Sequence, residues 1–138
     1  MTLEVADVVA LKQFGSETTR AIMVTRRKDG GLQSSPMSVI VDSNGDVLTA
    51  TPSKSAKTYN LWRDPRVAVC LFNERWPGPW FSVEGEAQIT RMPEALPLLA
   101  DYYSRRGIDP SSDAFRDRIA QNRVLIRIRI QRIVRSST

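Results

Sequence analysis

The chain of 138 residues contains no histidine and one cysteine, Cys70. Without imidazole it lacks the commonest general acid–base, the Ser-His-Asp triad and the usual zinc ligands. A single cysteine excludes an intramolecular disulfide. Cys70 lies in the apolar run 67–72, where a thiol is expected to pack inside a strand rather than react. No stretch approaches the roughly 18 apolar residues of a membrane-spanning helix. The N-terminus shows no basic-then-apolar leader pattern, so a cytoplasmic protein without a membrane partner is expected. Internal repeats and low-complexity tracts are also missing. An enzyme built from this set must borrow its reactivity from a cofactor and supply position and electrostatics itself.

What the chain does have is positive charge. Twenty Lys and Arg against fifteen Asp and Glu give +5, a balance that favours anionic ligands. With 41% hydrophobic residues, the expectation is one globular domain over 1–138 with its own core.

The most informative stretch is 48–69, LTATPSKSAKTYNLWRDPRVAV. It reads as a strand ending in hydroxyls, a turn, a short lysine-bearing helix and a second strand. Thr51 and Ser53 are the expected helix N-caps, with Pro52 at the first helical position. Asp64-Pro65 ends the helix, since a residue before proline avoids helical backbone. A helix N-terminus flanked by Lys54 and Lys57 favours an anion, most simply a phosphate.

Around this segment the periodicity predicts a helix over 3–14, then strands at 20–26, 36–41, 47–51, 66–73, 80–90 and 123–134. Asp29-Gly30 and Asn44-Gly45 mark tight turns. A helix is expected over 93–106, with Leu96, Leu99, Ala100 and Tyr103 on one face, and a short one begins at Ser112. In the last strand Val124, Ile126, Ile128 and Ile130 alternate with Arg123, Arg127, Arg129 and Gln131, so one face is buried and the other wet. These arginines come without exposed aromatics or a nucleic-acid motif, so no nucleic-acid partner is expected. The fold class is mainly β, a six-stranded antiparallel barrel or sandwich with a few helices.

This strand order resembles the FMN-binding-like split β-barrel family typified by pyridoxamine 5'-phosphate oxidase, and within it the deazaflavin (coenzyme F420)-dependent reductases. The resemblance rests on Asp29-Gly30, Ser35-Pro36, Lys57-x-x-Asn60-Leu61, Asp64-Pro65-Arg66-Val67 and Glu84-Gly85-Glu86-Ala87. It implies a homodimer with cofactor sites at the subunit interface. It also implies hydride transfer from reduced coenzyme F420 to a small unsaturated or carbonyl compound, with no metal. Lys57 matches the phosphate-contacting lysine, Thr51 the hydroxyl at the strand end, and Asn60 a position near the phosphate or supporting its loop. Ser35, Pro36 and Met37 match the strand along the ring system, and Gln33 lies just before it. Ser55 stands where many relatives carry arginine, with Lys54 as the replacement charge. Trp80 is either core or a lid stacking near the ring. The proton for reduction comes from water or from Tyr59. Rival readings are an FMN-dependent oxidase or reductase, a non-catalytic flavin or deazaflavin carrier, and a basic nucleic-acid-binding barrel.

Overall fold

Each central strand buries alternate side chains, and that period-two pattern curls the sheet around a single interior. The computed structural model describes residues 3–137. In β1 (Arg20–Arg26), Ala21, Met23 and Thr25 are buried, whereas Ile22 and Val24 face outward. In β5 (Arg66–Phe72), Val67, Val69 and Leu71 are buried, leaving Cys70 half-buried on the outer side. β6 (Trp80–Thr90) and β7 (Arg123–Arg135) continue the pattern with Phe81, Val83, Val124, Ile126 and Ile128.

The remaining strands are β2 (Leu32–Ser38), β3 (Ile40–Val41) and β4 (Val47–Pro52). All pairings are antiparallel, in the order β2-β1-β5-β6-β7-β4-β3. The two edges belong to one continuous run, 32–41, so that run closes the sheet on itself. The architecture is the mainly β barrel expected, but with seven strands rather than six. The strand expected over 36–41 begins earlier, at Leu32, and is broken between Ser38 and Ile40.

Hydrogen bonding explains the break. The Ser38 carbonyl accepts from the hydroxyls of Thr49 and Tyr102, each at 2.8 Å. The Val39 N–H donates to the Thr19 carbonyl at 2.8 Å. Side chains and a neighbouring turn thus satisfy the backbone where ladder pairing stops.

Among the described residues four helices cover the barrel: α1 (Val5–Glu17), α2 (Ala56–Arg63), α3 (Ala95–Arg105) and α4 (Asp113–Ile119). In α1 the buried residues are Leu11 and Phe14, and the Phe14 ring meets Phe81 at 5.0 Å. Val5 and Val9 of the same helix are exposed. α3 turns Ala95, Leu99, Tyr102 and Tyr103 onto a second cluster with Ile40, Leu48 and Leu125, leaving Leu96 exposed. Gly85 sits at a register irregularity between β6 and β7, and a Cβ there would fall on the Arg129 carbonyl oxygen. Only glycine admits that approach.

One charged cluster locks the β3–β4 turn. Arg127 Nη1 reaches Asp42 Oδ2 at 2.6 Å and Asp46 Oδ2 at 2.9 Å. Asp42 Oδ1 accepts the N–H groups of Asn44 and Asp46. With Asp42 only 8% exposed, removing the guanidinium leaves a buried carboxylate without its counter-charge. Arg127→Ala is expected to lower the free energy of unfolding in urea by about 3 kcal/mol. Arg129→Ala, an exposed position on the same strand, is expected to change it by no more than about 0.5 kcal/mol.

Candidate functional site

The turn between β4 and α2 is organised by hydroxyls, although not in the expected register. Pro52 completes β4, opposite Arg123, and Thr51 lies in the strand opposite Val124. The Ser53 N–H donates to the Asn122 carbonyl at 2.9 Å, and the Ser55 N–H to the Pro52 carbonyl at 3.0 Å. The helix therefore starts at Ala56 with Ser55 as its N-cap, accepting the Thr58 N–H at 3.3 Å. Thr51 and Ser53 are not caps, because β7 and its preceding turn hold them in strand and turn geometry. Thr51 Oγ1 donates to Ser55 Oγ at 3.1 Å, Ser55 and Thr58 hydroxyls meet at 2.9 Å, and Thr58 Oγ1 donates to the Pro52 carbonyl at 3.0 Å. This chain fixes the first turn of α2 against the end of β4.

That first turn carries Lys57 into a polar cleft of about 300 Å³ between β2, β4, α3, α4 and the start of β7. Lys57 shares the lining with Arg106, Arg118 and Arg123, and among the described residues no acidic side chain lines it. Burial, together with the nearby charge of Arg123, holds the Lys57 ammonium below the ordinary lysine range. Arg123 Nε is buried and has no hydrogen-bond partner among the described residues, while its Nη2 donates to Gln121 Oε1 at 2.6 Å. Leaving such a donor unmet costs free energy unless a ligand meets it.

Two buried tyrosines form the apolar floor of this cationic wall. Tyr102 is anchored by its bond to Ser38, and the Tyr103 ring stands edge-on to it at 5.0 Å. The Arg106 guanidinium lies 5.6 Å from the Tyr102 ring centre, and that of Arg118 lies 5.6 Å from Tyr103. These are cation–π distances, which hold the arginines without neutralising them. Burial pushes the Tyr103 phenol up, and the charge of Arg123 pulls it partly back. A cleft with four cations and an unmet buried donor has the chemistry of a phosphoryl site.

The expected residues divide into several groups. Lys57, Thr51, Pro36 and Met37 line the cleft, and Ser55 adjoins it through the cap. Lys54 is exposed outside the cleft. Asn60 is buried, with Nδ2 donating to Thr25 Oγ1 at 3.0 Å and Oδ1 accepting from Arg63 at 2.9 Å, so its side chain ties α2 to β1. Gln33 and Ser35 lie further along β2, opposite Thr25 and Met23. Trp80 belongs to a separate apolar cavity, and Tyr59 is 54% exposed and does not line the cleft. Arg106, Arg118, Arg123, Tyr102 and Tyr103 were not anticipated. Arg123 had one available signal: it opens the alternating strand, and pairing that strand with β4 brings it beside Pro52.

The family described as pyridoxamine 5'-phosphate oxidase matches residues 9–135. A conserved hypothetical protein, Rv2991 from Mycobacterium tuberculosis, is 27% identical, with a TM-score of 0.74, covering 98% of this chain and 85% of that one. A protein titled F420 reductase is 20% identical, with a TM-score of 0.70 and coverage of 89% and 94%. General Stress Protein 26 from Bacillus anthracis is 21% identical, with a TM-score of 0.66 and coverage of 94% and 91%. Among curated proteins, none matches the chain. The closed antiparallel barrel and the match across nearly its whole length show that this chain belongs to the pyridoxamine 5'-phosphate oxidase-like family.

Proposed function

We propose that the protein is an oxidoreductase that holds a phosphorylated redox coenzyme in the cleft of Lys57 and Arg123, with coenzyme F420 as that coenzyme. The observation that carries the reading is the buried, unpartnered Arg123 Nε beside Lys57 in a cleft without acid. An oxoanion meets both unmet needs together, since it accepts the free N–H and neutralises the crowded charge. The likeness to an F420 reductase supports the choice of coenzyme. FMN is the second reading, because its phosphate presents the same oxygens to the same donors.

The coenzyme supplies hydride chemistry when bound. Lys57, Arg123, Arg106 and Arg118 hold its phosphoryl end, and Thr51 presents its hydroxyl at the strand terminus. Pro36 and Met37, which line the same cleft, would lie along the ring system, and the substrate would be a small unsaturated or carbonyl compound. Hydride transfer depends on approach and alignment, which a chain without histidine can provide. Tyr59 does not line the cleft, so water is the proton source in this reading. The reading includes a cytoplasmic homodimer in which a second copy closes the open side of each cleft.

The basic strand does not favour nucleic acid. Arg127, Arg132 and Arg135 of β7 are ion-paired with Asp42 and Asp46, Glu84, and Asp7 respectively, leaving less free charge for a phosphate backbone.

Titration of the protein with F420 and with FMN, followed by tryptophan fluorescence, tests the reading. Tight binding of F420 is expected, and Lys57→Ala or Arg123→Gln should each weaken it about tenfold or more, the loss of one charge-assisted contact. Lys54→Ala should leave it unchanged. Binding of neither coenzyme would overturn the proposal.

The pH dependence has a definite sign. In the free protein Lys57 loses its proton below the ordinary lysine range, and a bound anion restores the charged form. Coenzyme binding should therefore take up a proton in the alkaline range, and affinity should fall as pH rises through it. Calorimetric titration in two buffers of different ionisation enthalpy measures the proton uptake, which Lys57→Ala should abolish.

A further inference from the structure

Two adjacent tyrosines of α3 use their hydroxyls differently. Tyr102 is 1% exposed and donates to the Ser38 carbonyl at 2.8 Å. Tyr103 is equally buried, at 1%, yet its hydroxyl makes no hydrogen bond among the described residues. The rest of that side chain is fixed from several sides. The Tyr102 ring stands edge-on to it, and the Phe115 ring of α4 lies 6.0 Å away. The Tyr103 carbonyl accepts the N–H groups of Arg106 at 3.0 Å and Ile108 at 2.8 Å. A buried tyrosine normally finds a partner for its hydroxyl. Arg123 Nε is the one fully enclosed side-chain polar atom without a partner among the described residues. The Tyr103 oxygen therefore keeps part of the little surface its residue still exposes, and Tyr103 lines the cleft. The charges of Arg123, Arg118 and Arg106, all in the same lining, act on its phenol. One cleft thus holds two unmet donors, the Arg123 N–H and the Tyr103 O–H.

We propose, on the reading of this cleft as a phosphoryl site, that the Tyr103 hydroxyl is a direct ligand contact, donating a hydrogen bond to the oxyanion held by Lys57 and Arg123. A phosphoryl group presents several oxygens to converging donors, so one ligand meets Arg123 and Tyr103 together. The phenol brings what the cations lack. It is a neutral donor, adding a bond without adding charge to a crowded cationic wall. Burial disfavours the phenolate, so the hydroxyl keeps the proton it donates. Packing against Tyr102 and Phe115 holds the ring in place before the ligand arrives, so little side-chain freedom is lost on binding.

Calorimetric titration of the full chain with inorganic phosphate tests the contact, whichever coenzyme the cleft takes. The native protein is expected to bind phosphate. Tyr103→Phe keeps the ring and its packing and removes only the oxygen. Its phosphate affinity should fall about tenfold, while its midpoint of urea unfolding without phosphate stays at the native value. Tyr102→Phe should instead lower that midpoint, because the Ser38 carbonyl loses a partner. Tyr59→Phe, outside the cleft, should change neither quantity. Native affinity in Tyr103→Phe, with Lys57→Ala still weakening binding, would overturn the role of Tyr103 and leave the phosphoryl site standing. A midpoint in Tyr103→Phe that falls like that of Tyr102→Phe would also overturn it, by making the hydroxyl structural. Failure of the native protein to bind phosphate would overturn both.

Discussion

The Ser38 carbonyl, accepting hydroxyls from Thr49 and Tyr102, is the constraint on which most of this structure depends. By taking that carbonyl out of the ladder, the two side chains break the run 32–41 into β2 and β3. The break lets one segment serve both edges of the sheet, β2 on β1 and β3 on β4. The same bond anchors α3 through Tyr102. Arg106, at the C-cap of α3, is thereby brought over the mouth of the cleft. One backbone oxygen thus couples barrel closure to placement of the cationic wall.

The site itself is an electrostatic problem left half solved. Several arginines of the barrel wall are neutralised: Arg127 sits between two aspartates, and Arg66 is paired with Asp64, whose carboxyl it draws down to about 2. In the cleft no acid appears, and tyrosine rings hold the guanidiniums instead. Aromatic faces orient a cation while leaving its charge available. The contrast between paired arginines on the barrel wall and unpaired ones in the cleft is what marks a ligand site rather than a basic surface.

Much of the barrel was legible because alternation is written directly into 123–130 and 66–72 is an apolar run of strand length. The broken strand was not, because the cause lies in a contact from Tyr102, distant in sequence. The register of the turn 51–58 was misread for a related reason. Thr51, Ser53 and Ser55 are each competent caps by local chemistry, and only pairing of Pro52 with Arg123 across the sheet decides that Ser55 serves. Lys57 was recognised because it belongs to a local motif. Arg106, Arg118 and Arg123 converge from α3, the flank of α4 and β7, and no spacing in the sequence encodes that meeting. Asn60, which the motif groups with Lys57, instead ties α2 to β1.

The central claim is that the cleft of Lys57 and Arg123 receives the phosphoryl group of a redox coenzyme. A crystal structure of the protein grown with coenzyme F420 tests it most directly. The account predicts the phosphoryl oxygens within hydrogen-bonding distance of Lys57 Nζ and Arg123 Nε. A bound coenzyme whose phosphoryl group lies away from both residues would contradict it.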